Sequence, residues 1–150
     1  MTTTTTTTTT FVREVTAHYS APRKALARIT DPAAAAAFCR RLLCDNAREH
    51  FLALFLDSRS CVVAYQVISI GSADQSLVHP REVFQPAILA GSTALIVAHN
   101  HPSGDVAPSK EDAQVTRRLK EAGQLLGITL LDHVVFSGRS YHSFAQAGQL

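Results

Sequence analysis

The run Thr93-Ala-Leu-Ile-Val-Ala-His99 has no charge and no break, and a second histidine, His101, follows two residues on. Such a run predicts a buried strand, so the fold must cover it. Side chains alternate along an extended chain, which sends His99 and His101 to the same face. Downstream, Pro108-Ser109 followed by Lys-Glu-Asp reads as a helix start, with Ser109 as the N-cap and Asp112 three positions on. A lone histidine is most often a satisfied or exposed residue, and Ser-x-x-Asp is most often only a cap. Their conjunction directly after a strand points to a metal. Zinc accepts this set: two neutral imidazole nitrogens, one carboxylate oxygen and an open fourth position for water. His99, His101 and Asp112 are therefore the expected ligands, with Asp105 the substitute carboxylate if Asp112 lies elsewhere.

The rest of the chain supplies elements to cover that strand. Asp31-Pro32 is an N-cap followed by proline at the first helical position, and Ala33 to Leu43 carries strong helix formers with Phe38, Leu42 and Leu43 on an apolar face. This helix is expected to end near Asn46. Phe51 to Leu56 reads as a short strand, Asp57-Ser-Arg-Ser60 as a hairpin turn and Val62 to Ile70 as the returning partner, closed by Gly71. His79-Pro80-Arg81-Glu82 opens a helix that Pro86 should kink or shorten before Gly91. Ser109 to Leu126, stopped by Gly127, has the clearest helical pattern. Ile128 to Phe136 and Tyr141 to Phe144 finish as strands around the Ser137-Gly138-Arg139-Ser140 turn. The order α-β-β-α-β-α-β-β predicts an α/β sandwich with a mixed sheet.

With 150 residues, 46% of them apolar and 17% charged, the chain has material for one globular domain with a real core. A formal charge of +2 is too mild to imply nucleic-acid binding. Cys39, Cys44 and Cys61 lack Cys-x-x-Cys spacing, so neither a disulfide framework nor a thiolate zinc finger is indicated, and reduced, partly buried thiols are expected. No apolar run approaches the ~18 residues a membrane helix needs, and no signal-peptide pattern precedes the domain. The expectation is a cytoplasmic protein without membrane contact. Residues 1–10 form a poly-Thr tail expected to be disordered. Residues 11–45 read as an N-terminal arm and helix, with Phe11 to Ile29 an edge strand or extended arm, and residues 46–150 as the main domain.

His99-x-His101, seven residues, Ser109, two residues and Asp112 resemble the pattern of the JAMM (MPN+) metalloprotease domain. The flanking segments narrow the resemblance to the RadC family: Arg48-Glu49-His50-Phe51, His79-Pro80-Arg81-Glu82, His99 to Gly104, Leu131-Asp132-His133 and Tyr141-His142-Ser143-Phe144. Together these motifs cover roughly residues 46–146. The resemblance implies a JAB/MPN (cytidine-deaminase-like) sandwich, a mixed central sheet flanked by helices, with Zn2+ as cofactor. It also implies zinc-dependent hydrolysis of an amide, peptide or isopeptide bond in a peptide or protein substrate that the motifs do not identify.

JAMM enzymes use an upstream glutamate as general base, in a Glu-x-Phe-like setting about 45 to 50 residues before the first histidine, and Glu49 ahead of Phe51 stands there. Glu82 competes for the role, though a first-turn acid also simply favours the helix dipole. In the JAMM pattern the Ser109 hydroxyl stabilises the oxyanion. Glu111 should face elsewhere. Asn100 and Ser103 either orient ligands or serve the turn, and Asp132-His133 reads as a core hydrogen-bond network. His50, His79 and His142 carry no independent signal, and Arg117, Arg118 and Lys120 form a solvated helix surface.

RadC-type proteins are traditionally labelled DNA repair proteins. The longer ones carry a helix-hairpin-helix module that these residues have no room for, so autonomous DNA binding is not expected. The rival class is a non-catalytic MPN-fold binding or scaffold module acting with DNA repair or mobile-element proteins. Relatives that become such platforms lose ligands, whereas this chain keeps each one. A zinc deaminase would need His-x-Glu with Pro-Cys-x-x-Cys, which the chain lacks. A zinc nuclease would more often show carboxylates for a second metal, and only Asp105 is near.

Overall fold

A computed structural model of the chain describes residues 16, 27–43, 45–71 and 78–150. The elements follow the predicted order: α1 (Pro32–Leu42), β1 (Glu49–Leu56), β2 (Val62–Gly71), α2 (Pro80–Leu89), β3 (Ala94–Asn100), α3 (Lys110–Leu126), β4 (Thr129–Phe136) and β5 (Tyr141–Ser143). The strands form one mixed sheet in the order β2-β1-β3-β4-β5. β1 runs antiparallel to both β2 and β3, and β5 antiparallel to β4. β3 and β4 are parallel, which a tight turn cannot achieve; α3 is the crossover that permits it.

β3 lies at the centre of this sheet, and all seven of its residues are buried. Alternation divides its side chains and those of β1 between two cores. Leu52, Leu54, Leu56, Ile96 and Ala98 pack with Ala35, Ala36 and Cys39 of α1. Phe51, Ala53, Phe55, Leu95 and Val97 pack with Val83, Phe84 and Ala87 of α2 and Val115 and Leu119 of α3. Each large apolar side chain removed from water in this way contributes roughly 1.5–3 kcal/mol. His99 continues the second set, so it points towards the face covered by α3.

The helix ends follow local chemistry. The Asp31 carboxylate accepts the Ala34 amide at 2.8 Å, and Gly127 takes the left-handed conformation at φ 69° that ends α3. His79 caps α2, a helix of ten residues that holds Pro86 within it. α1 is shorter than expected: it stops at Leu42 rather than near Asn46, because Leu43 is already extended. The chain must turn there to enter β1, and the Asp45 side chain takes the Ala47 amide at 2.8 Å in doing so. From α1, Arg40 reaches across to the β4–β5 turn, donating to the carbonyls of Ser137 at 2.7 Å and Ser140 at 2.9 Å.

Ala27 to Ile29 run extended beside the β1–β2 hairpin, with the Ile29 amide on the Ser60 carbonyl at 2.9 Å and the Val62 amide on the Ala27 carbonyl at 2.8 Å. The poly-Thr tail and most of the Phe11 to Ile29 arm lie outside the described residues. Among the described residues, no helix is long and apolar enough to cross a membrane.

Candidate metal centre

The C-terminal end of β3 meets the N-terminus of α3, and His99 there faces both His101 and Asp112. His99 Nε2 lies 3.0 Å from His101 Nε2 and 3.3 Å from Asp112 Oδ1. Ligand atoms set tetrahedrally about 2.0–2.1 Å from one ion would be about 3.3 Å apart, so both separations fit a shared cation. His99 and Asp112 are fully buried, while His101 is half-buried and opens the cluster to the surface.

Asp112 is held by the cap that the sequence predicts. The Ser109 amide donates to Asp112 Oδ2 at 2.7 Å, and the Asp112 amide donates to Ser109 Oγ at 3.0 Å. Asp112 Oδ1 is buried without a hydrogen-bond partner. A buried carboxylate oxygen left bare carries a desolvation penalty that a cation removes. Burial works against the charge on Asp112, but His99 and the hydrogen bonds at Ser109 outweigh it and hold the carboxyl well below the usual carboxylate range. The Ser109 Oγ accepts the cap bond, which leaves its own hydrogen free to donate.

The second imidazole is oriented by the loop after β3. His101 Nδ1 donates to the Asp105 carbonyl at 2.6 Å, which places its hydrogen on Nδ1 and its lone pair on Nε2. Asp105 thus takes part through its main chain. Its carboxylate is exposed and accepts the Ala107 amide at 2.9 Å, so the substitute-ligand role does not arise. Ser103 helps close the same loop, accepting the Asp105 amide at 3.4 Å.

Glu49 arrives from the neighbouring strand. The β1–β3 register sets Phe51 opposite His99, so Glu49, two residues earlier, falls on the same face beside His101. One ligand atom each from Glu49, His99 and His101 lie within 4.8 Å of one another. Asn100 fixes that register instead of touching the ligands: it accepts the His50 amide at 2.7 Å and donates to the Arg48 carbonyl at 2.9 Å. Glu82 is exposed in the first turn of α2, and Glu111 is exposed on α3.

Two residues of this centre were not singled out as part of it by the sequence. His133, expected in a core network, places Nε2 2.8 Å from His99 Nδ1, and its own Nδ1 lies 2.6 Å from Thr116 Oγ1. Burial, followed by the nearby His99, pushes the His133 pKa well down, so its ring is neutral. Thr116 stands four residues after Asp112, one helical turn along the same face, and that spacing was the available signal. The adjacent Asp132 does serve the core, accepting from the His133 amide at 2.8 Å, Ser143 Oγ at 2.6 Å and the Ala145 amide at 2.9 Å. Beside His101 a cleft of about 570 Å³ opens between Arg40, Pro102, Phe136 and Arg139.

The arrangement can therefore hold a divalent cation on Glu49, His99 and His101, with the Asp112 carboxylate against His99. The family model described as RadC-like JAB domain matches residues 29–149. A UPF0758 protein of Trichlorobacter lovleyi is 49% identical over 125 residues, covering 83% of this chain and 54% of the relative. One of Staphylococcus haemolyticus is 46% identical over 121 residues, 81% of this chain and 53% of the relative. One of Thermotoga maritima is 48% identical over 103 residues, 69% of this chain and 46% of the relative. The chain spans about half the length of these curated relatives.

Proposed function

The chain belongs to the RadC-like JAB domain family, and from that premise we propose that it is a zinc-dependent amide hydrolase, a metallopeptidase or isopeptidase-type enzyme of the cytoplasm. The observation that carries this reading is the grouping of Glu49, His99 and His101, with the buried Asp112 Oδ1, which has no hydrogen-bond partner, 3.3 Å from His99 Nε2. Zn2+ bound there supplies Lewis acidity, which brings the pKa of a water from 15.7 to about 7.

The protein's own groups do the rest. Glu49 takes the proton from the attacking water and returns it to the leaving amine, a relay typically contributing about 10²–10⁴-fold. Ser109, whose oxygen is already fixed by the cap, directs its free hydrogen at the oxyanion that forms on the attacked carbonyl. His99 and Asp112 are fully buried. The substrate is a peptide or protein chain that reaches His101 along the adjoining cleft. Direct DNA binding is not part of this reading, since a formal charge of +2 offers little counterion release to drive it.

The test is zinc content followed by cleavage of a mixed fluorogenic peptide-amide and isopeptide panel. Wild type is expected to hold about one zinc per chain and to cleave; Glu49→Gln is expected to keep the zinc and lose cleavage. Wild-type protein that takes up no zinc overturns the metal assignment. Zinc-loaded protein inert across the panel overturns the hydrolase assignment and favours the scaffold reading. Loss of cleavage in Glu82→Gln rather than Glu49→Gln moves the base to α2.

A further inference from the structure

We infer that His133, backed by Thr116, is a positioning residue for the metal centre: together they dictate which nitrogen of His99 faces the ligand cluster. The inference rests on the metal-binding reading above and adds residues that the ligand set does not contain.

The argument is one of hydrogen counting. Thr116 Oγ1 lies 2.7 Å from the Asp112 carbonyl oxygen, and only the hydroxyl owns a hydrogen, so Thr116 donates there. Having donated, its oxygen can only accept, so His133 Nδ1, 2.6 Å away, carries a hydrogen. His133 is fully buried with no carboxylate on either nitrogen, so the ring carries that one hydrogen and its Nε2 is bare. That atom lies 2.8 Å from His99 Nδ1, which must therefore be the donor. The remaining nitrogen of His99, Nε2, is left with its lone pair towards His101 Nε2 and Asp112 Oδ1.

The chain of bonds closes on itself. The Asp112 main chain orients Thr116, Thr116 orients His133, His133 orients His99, and His99 meets the Asp112 side chain. Reversing any member would put a hydrogen where the ion's ligand electron pair is required. The rings also have little freedom to turn over: His133 stacks on Phe144 at 4.9 Å between centroids, and Phe51 stacks on His99 at 6.0 Å and meets the His133 edge at 5.6 Å. Space-filling alone would be served by an apolar side chain among these aromatics. A buried imidazole with both nitrogens engaged serves direction.

Long-range proton–nitrogen correlation spectra of the metal-free wild-type protein at pH 8 need no variant. His133 is expected as the Nδ1–H tautomer with a hydrogen on His99 Nδ1, and a His133 Nε2–H form or a His99 ring bare at Nδ1 overturns the inference. Zinc affinity by chelator competition gives the second readout. Thr116→Val and His133→Phe are expected to weaken binding by about 10- to 100-fold, while Thr116→Ser, which keeps the hydroxyl, stays near wild type. Wild-type affinity in folded Thr116→Val also overturns it. A wild type that binds no zinc instead overturns the metal reading, while the tautomers still report the hydrogen-bond chain.

Discussion

Ser109 and Asp112 hold each other at the start of α3, each main-chain amide donating to the other's side chain, at 2.7 and 3.0 Å. The exchange commits Oδ2 of the carboxylate to the fold and leaves Oδ1, 3.3 Å from His99 Nε2, for a cation. Helix capping and ligand presentation are therefore one local structure, and perturbing either has consequences for both.

Ser109→Ala removes the cap acceptor at a cost of about 1 kcal/mol, a fall of about 2–4 °C in Tm for a domain of this size. Turnover per folded, zinc-loaded molecule is expected to fall by a further factor of about 10² through loss of the oxyanion donor. Calorimetry with metal-normalised kinetics separates the two. Unchanged normalised turnover would restrict Ser109 to capping.

Asp112→Asn keeps the shape and one carbonyl oxygen for the Ser109 amide, and its NH2 can face His99 Nε2. The metal-free variant is expected to melt at or above the wild-type temperature. Zinc affinity should fall by more than the roughly 10- to 100-fold of an outer-sphere change. Thermal melts and metal analysis on one preparation check this opposition of stability and binding.

His133 is buried and neutral, with a pKa well below 6.5. The unfolded chain takes up a proton near pH 6.5 that the folded chain refuses, so this contribution to stability is complete above about 6.5 and is lost as pH falls towards the folded value. Asp112, its pKa also lowered, acts in the same sense below about 3.8. Metal-free wild type should therefore lose Tm on acidification below about pH 6.5. His133→Phe should give a flatter profile over that range, and an equally steep one would assign the titration elsewhere.

Gly123 lets α3 approach the chain leading into β4. An added Cβ would lie 2.3 Å from the Ile128 carbonyl oxygen and 3.3 Å from the Phe84 ring. Gly123→Ala is thus expected to destabilise by about 1–3 kcal/mol, although alanine in an open helix would gain about 1 kcal/mol. A denaturant melt that showed stabilisation would refute the close packing.

Cys39 faces the core from α1, where burial pushes its thiol up to about 12. Thiolates are the reactive form, so iodoacetamide at pH 8 should leave Cys39 unmodified in the native protein and label it after unfolding. Peptide mass mapping checks this, with half-buried Cys61 as the internal comparison.

Local pattern carried much of the architecture. The Asp31 cap, the Asp57 to Ser60 turn, the Ser109 cap and the Gly127 stop each depend on a few neighbouring residues, and each is seen where its residues stand. α1 ends before Asn46 because the turn into β1 depends on where the sheet lies, which the local composition around Leu42 does not record. Asn100 reads as a loop residue beside two histidines, and only the pairing of β1 with β3 turns it into a clamp on Arg48 and His50.

By itself the sequence determined that His99 and His101 share a face and that Ser109 and Asp112 begin a helix together, because a strand's two-residue period and a capping box act over a few residues. Only the tertiary structure decided that Glu49 stands beside His101 while Glu82 is exposed on α2, and that His133, 34 residues from His99, turns that ring towards its partners. Those relations depend on sheet register and on a helical crossover. Both are set by burying two apolar faces at once, a condition of the whole chain that no short segment records.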